Sequence, residues 1–93
     1  MKTVVLNKKI DGAYSNADGY TLFCILEPSF ANNERVEISM LGFPLMSSSF
    51  FNSSFGELIQ KYGYEKFKSS LRFTNITRQQ ANQIKSYVGL YVC

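Results

Sequence analysis

Arg35-Val36-Glu37-Ile38-Ser39-Met40-Leu41-Gly42-Phe43-Pro44-Leu45-Met46-Ser47-Ser48-Ser49-Phe50-Phe51 is the stretch on which the fold turns. Its first part alternates: Val36, Ile38 and Met40 point one way, Arg35, Glu37 and Ser39 the other, the period of a β-strand. A strand covered on both faces would be more continuously apolar, so one side of this one is expected to be less buried. Gly42 to Met46 is a connection, and it runs into three serines. Serine oxygens can accept from the free amides of a helix start. Beyond them Phe51, Phe55, Leu58, Ile59 and Tyr62 recur on one helical face. Gly63 is placed as the stop, with Lys61 in the favourable last turn. Gly56 in mid-helix costs about 1 kcal/mol against Ala. A close approach of this helix to a sheet is the expected compensation.

Working outward, Thr3 to Leu6 is a short β-branched strand. Asn7 to Asp18 is a polar loop, with room for an extra strand near Ala13-Tyr14. Asp18 is expected to cap a helix from Gly19, in which Leu22, Phe23, Ile25, Leu26 and Phe30 follow helical spacing. Pro28 should kink that helix or end it near Leu26. Residues 31–34 form a turn. On the other side, Leu71 to Thr74 is a third strand. Thr77-Arg78-Gln79-Gln80 matches a capping box, and the helix it opens carries Ala81, Ile84, Val88 and Tyr91 on one side. The order is strand, helix, strand, helix, strand, helix. It predicts one α/β domain over residues 1–93, a mixed sheet packed by about three helices through right-handed crossovers.

Composition bounds the function. With 45% apolar residues, eight Phe and six Tyr, the chain can build a core and is not a disordered segment. The net charge of +3 is carried by scattered basic residues. Lys61, Lys66 and Lys68 are close together, and a solvated face is the expected reading over a phosphate-binding stripe. Cys24 and Cys93 are expected to be one buried and one terminal thiol in a reducing compartment. The opening segment is too short in apolar residues for a signal peptide, and no run approaches the roughly 18 apolar residues of a membrane helix. A cytoplasmic location with no membrane partner is expected.

Histidine is absent, which removes the commonest general base and metal ligand. The cysteines lack zinc spacing, and phosphate-binding and dinucleotide glycine patterns are missing. No carboxylate pair sits at close helical spacing, and no base is placed to activate a serine. No enzyme activity, metal or cofactor is expected.

Ser48-Ser49-Phe50, Phe55-Gly56, Leu58-Ile59 and Tyr62-Gly63, following the strand Val36-Glu37-Ile38-Ser39-Met40, resemble the signature of the bacterial STAS-like domains of unknown function. Asp18-Gly19 and Leu26-Glu27-Pro28-Ser29-Phe30 look similar to that family's first helix, so the resemblance spans about residues 18–88. It implies a small STAS-like α/β fold. In the related anti-sigma factor antagonists, a serine at the start of the equivalent helix is phosphorylated by a kinase-type anti-sigma factor, and this switches partners. Of their Asp-Ser-Ser-Gly motif, Ser47 stands at the Asp, Ser48 at the phosphorylated serine and Phe50 at the Gly. The resemblance therefore implies a regulatory protein-interaction module, with Ser48 and Ser49 as candidate phosphorylation sites. A histidine-kinase-type ATPase or kinase would act in trans. The partner surface is expected on Phe43, Leu45, Met46, Ser47, Ser48, Ser49 and Phe50. From the residues alone, the serines serve equally as plain helix caps. The alternative reading is a small nucleic-acid-binding regulator that uses the scattered Lys and Arg.

Overall fold

The computed structural model describes residues 2–91. Strands β1 (Lys2–Val5), β2 (Val36–Ser39) and β3 (Leu71–Thr74) form a sheet in the order β1-β2-β3. Both pairings are parallel, so this sheet is uniformly parallel where a mixed one was expected. Six helices pack on it where about three were expected: α1 (Leu6–Lys9), α2 (Asn16–Ala31), α3 (Ser48–Ser53), α4 (Phe55–Tyr62), α5 (Tyr64–Ser70) and α6 (Arg78–Val88). A 3-10 turn, Gly89–Tyr91, follows α6.

The strand order decides where the core lies. Two crossovers of one hand that step in the same direction place their helices on the same face of the sheet. That face presents Val4, Val36 and Ile38, all buried. The opposite face presents Thr3, Glu37 and Arg72, which stand in register across the three strands. Thr3 and Arg72 are exposed and Glu37 is half-buried. The next row on that face, Val5, Ser39 and Thr74, is half-buried or buried, so the alternation in β2 is the imprint of a sheet whose second face is open at the Thr3–Glu37–Arg72 row.

Helix α2 starts earlier and ends later than its sequence implies. Its N-cap is Ser15, whose Oγ accepts from the Asp18 amide at 3.1 Å. Asp18 lies inside the first turn, where a carboxylate complements the helix dipole. The loop before it holds no strand at Ala13-Tyr14. The helix passes through Pro28 to Ala31. Proline removes one backbone donor, and the carbonyl it orphans belongs to Cys24. Both residues are exposed, so water can take that hydrogen bond, while Phe30 beyond them is fully buried. The same geometry corrects the expectation for Cys24, which is an exposed thiol. Leu22, Leu26 and Phe30 recur every fourth residue on the buried side, and Cys24 lies midway between the first two. Cys93 lies outside the described residues.

The serine-led helix is broken in two at Ser54 (φ −117°, ψ −88°). Phe50 and Phe55 would sit roughly 140° apart on one straight helix. The break lets Phe50, Phe51 and Phe55 all enter the core. Buried Ser54 keeps its hydroxyl satisfied by donating to the Phe50 carbonyl at 2.7 Å. Helix α5 had no clear periodic signal, because Phe67 is its one buried large apolar residue.

Packing several helices on one face forces close approaches. Gly19 of α2 lies against α3: a Cβ there would sit 2.4 Å from the Phe50 carbonyl oxygen and 2.9 Å from the Ser53 Cβ. Gly56 also marks a close approach, though to α6 and the following turn rather than to the sheet. Its Cβ would meet the Tyr87 hydroxyl at 2.2 Å and that of Tyr91 at 3.0 Å. A phenol end can swing aside, whereas a helix backbone cannot. Gly19→Ala is therefore expected to destabilise by about 1–3 kcal/mol through overpacking, despite a propensity gain of about 1 kcal/mol. Urea unfolding checks this, and a raised midpoint for Gly19→Ala would contradict the α2–α3 packing.

Candidate functional site

The connection from β2 to α3 is held by hydrogen bonds at both ends and in its middle. It opens on a turn in which the Phe43 amide donates to the Met40 carbonyl at 3.0 Å. Gly42, with φ +73°, fills the third turn position, which calls for glycine. Leu41, at the second position, is thrust outward and is 64% exposed. Ser39 links the turn to the end of β3: its Oγ accepts from the Leu41 amide at 3.5 Å and from the Asn75 side-chain amide at 3.0 Å.

Two glutamines of α6 then clamp the strand of chain that follows. Gln80 Nε2 donates to the Phe43 carbonyl at 2.6 Å, while its Oε1 accepts from the Thr77 amide at 3.0 Å. Gln80 therefore completes the expected capping box and latches a distant loop with one side chain. It is 1% exposed, so each of its bonds replaces water that cannot reach the site. Gln83 brackets Met46, accepting from its amide at 3.1 Å and donating to its carbonyl at 2.9 Å.

Ser47 is the N-cap of α3. Its Oγ accepts from the Phe50 amide at 3.1 Å and donates to the Tyr14 carbonyl at 2.6 Å. The Ser47 amide also donates to the Ala13 carbonyl at 3.0 Å. Ser47 thus ties the loop before α2 to its own connection and caps a helix start. Serine is a strong N-cap residue, and Ser47 fills that role at this helix start. Ser48 and Ser49 occupy the first two helical positions and are exposed.

The structure divides the seven residues expected to form a partner surface. Phe43, Met46 and Phe50 are buried at 6%, 4% and 0% exposure and belong to the core. Phe43 and Met46 turn inward from the connection whose backbone Gln80 and Gln83 hold, and Phe50 turns inward from α3, so none of the three is at the surface. Leu45, Ser48 and Ser49 are exposed and Ser47 is half-buried. Leu41 and Tyr14, both exposed, join them at the carboxyl ends of the strands. Neither was singled out from the sequence; the turn signal at Gly42 could have pointed to Leu41.

A second polar cluster lies beside α3. The Tyr87 hydroxyl donates to Asn52 Oδ1 at 2.8 Å and lies 2.9 Å from that of Tyr91. Burial, reinforced by the Tyr91 hydrogen bond, pushes the Tyr87 phenol well above its usual range, so it stays neutral. Elsewhere, Lys61 pairs with Glu27 and Lys66 donates to Asn33, with both ammonium groups 5.6–5.7 Å from the Tyr62 ring centre. Two of the three neighbouring lysines thus have partners within the chain. Among the described residues, no helix is long and apolar enough to cross a membrane.

A model of the STAS-like domain of unknown function matches residues 18–81. The matched segment runs from the first turn of α2 into α6 and contains the whole clamped connection. No curated protein and no solved structure matches the chain.

The cap and the clamp make separate demands on stability. Ser47→Ala is expected to cost about 0.5–2 kcal/mol, and Ser48→Ala or Ser49→Ala little. Gln80→Leu strands the buried Phe43 carbonyl and the Thr77 amide, and is expected to cost about 1–3 kcal/mol. Thermal and urea unfolding of the four variants give the comparison. Equal losses at all three serines would contradict the assignment of Ser47 as the cap.

Proposed function

The chain belongs to this STAS-like family, and we propose that it is a non-catalytic regulatory module that binds a protein partner at the clamped connection and the start of α3. The observation that carries the reading is a rigid, hydrogen-bonded loop that nonetheless keeps two leucines in water. Leu41 is 64% exposed and Leu45 42%, while Gln80 pins the backbone between them at Phe43 and Gln83 pins it just beyond them at Met46. A preformed surface of this kind loses little freedom on binding. Its place at the carboxyl ends of parallel strands is where open α/β sheets commonly bind ligands.

Ser48 gives the reading its switch. It is exposed at the first position of α3, and a phosphate there would add negative charge beside Leu45 without disturbing the Ser47 cap. The donor would be a kinase-type ATPase acting in trans, as in the related antagonists. A phosphate-independent interaction is the simpler form of the same proposal.

The test uses the tagged full chain as bait in its host, with partners and modified peptides identified by mass spectrometry. Leu41→Lys/Leu45→Lys is expected to lose a partner that the unsubstituted chain retains, with both proteins equally folded by circular dichroism. Ser48→Glu is expected to weaken or exchange that partner, and Ser48→Ala to remove any phosphate found at Ser48. Partner recovery indifferent to the double lysine variant would overturn the surface. Binding to generic DNA that falls steeply with salt would favour the nucleic-acid reading instead.

A further inference from the structure

Strand β3 is an edge of the sheet, paired with β2 on one side only. The Met40 amide donates to the Thr74 carbonyl at 2.9 Å, which sets the phase of the strand. In a parallel ladder, alternate residues turn both backbone groups to the same side. Arg72 and Thr74 therefore face β2, and Leu71 and Phe73 face away from it. The Leu71 amide is taken by the Phe67 carbonyl at the end of α5. The Leu71 carbonyl and both backbone groups of Phe73 have no backbone partner among the described residues. The side chains of Leu71 and Phe73 lie on the inner face, in register with Val36 and Ile38, and are half-buried. They border a groove of about 220 Å³ that Phe67 of α5 and Ile84 and Val88 of α6 complete, with exposed Lys68 also lining it.

The charge around this edge has one sign. No Asp or Glu follows Glu65, whereas Lys66, Lys68, Arg72, Arg78 and Lys85 do. Most of α5, all of β3 and all of α6 are built from this stretch. Among the described residues the one ion pair is Lys61 with Glu27, so none of these five cations meets a carboxylate there. Arg72 stands in register with Glu37 and still makes no ion pair with it.

Backbone, groove and charge together select an occupant. Unpaired backbone groups along an edge are completed by an extended chain. The pleat would send its residues opposite Leu71 and Phe73 towards the groove, and its residue opposite Arg72 to the outer face. Apolar side chains suit the first positions, and a carboxylate suits the second. A second copy of this chain is a poor fit, because two β3 edges would bring the same five cations together. Nucleic acid would meet the charge but has no row of amides to pair with the edge. We propose that the β3 edge and its groove bind, as an added strand, an extended acidic segment of a protein partner in which apolar and acidic residues alternate. This goes beyond the reading given for Leu41 and Leu45 and does not rest on it.

The probe is a capped peptide of alternating Val and Glu, about eight residues long, titrated into the isotope-labelled full chain and followed by NMR. Saturable shifts at Leu71, Phe73, Ile84 and Val88 are expected below about 1 mM peptide, with slowed exchange of the Phe73 amide. The same peptide N-methylated at alternate residues lacks the donors of one edge and is expected not to bind, nor is its lysine counterpart. Lys68→Glu/Arg72→Gln is expected to weaken binding more than about tenfold. Lys8→Glu/Lys9→Gln makes the same change in net charge on α1, which follows the opposite edge strand β1, and is expected to leave binding intact. All four positions are exposed, so folding is retained. No shifts up to about 1 mM, shifts centred on Leu41 and Leu45, or equal binding of the N-methylated or lysine peptide would each overturn the proposal. So would equal weakening by the two double variants, or tighter binding of a single-stranded oligonucleotide at the same residues. Partner capture through Leu41 and Leu45 is read in the host and with other variants, so either proposal can fail alone.

Discussion

The helices of both crossovers must share one side of the sheet, because the three strands lie in chain order and both crossovers step the same way, and α6 joins them there with Ile84 and Val88 beside Leu71 and Phe73. The molecule has one inner face to fill and an outer face to leave in water. Parallel sheets are commonly buried on both sides. Here the row Thr3, Glu37 and Arg72 supplies a polar outer surface that can do without cover. The crowding this creates on the inner side explains the contact of Gly19 with the α3 backbone, the room left at Gly56 for two tyrosine hydroxyls, and the break at Ser54. Each is a way of fitting more helix onto a sheet only three strands wide.

The candidate site follows from the same crowding. Helix α6 runs beside the β2–α3 connection and can reach its backbone. Gln80 and Gln83 do so, and the loop becomes a fixed part of the surface rather than a mobile link. The connection keeps Phe43 and Met46 beneath it and Leu41 and Leu45 above it. A polar clamp on the backbone is what permits this division: hydrogen bonds hold the chain, leaving the two leucines uncommitted.

Much of the fold was legible because its strongest signals are local. The alternation of β2, the apolar face of α4, the stop at Gly63 and the capping box at Thr77 each lie within a few residues, and each is present. The errors share a different cause, which is tertiary. Pro28 reads as a kink or a helix end, and of the two the end is ruled out, because burial of Phe30 outweighs one exposed carbonyl without its helical donor. Cys24 sits in an apolar run yet faces water, since phase on the helix and not neighbourhood decides burial. Phe43, Met46 and Phe50 looked like a sticky surface, and nothing in their order shows that α6 would close over them. Ser47, not Ser48 or Ser49, caps the helix, a distinction of one residue that three adjacent serines cannot encode. The glutamines were visible as residues, but their reach across 36 or 37 positions to the loop was not.

Lys2 pairs with Val36, and Val36 with Leu71, so each strand finds its neighbour about 35 residues away along the chain. No two strands can meet as a hairpin. Contacts among α3, α4 and α5 are short in sequence and can form early, whereas the sheet requires two long loops to close. During synthesis β2 would emerge and wait, with Val36 and Ile38 unpaired on one edge until β3 arrives. The polar outer row and strands only four residues long then have a second use: they leave little sticky edge for another nascent chain to join.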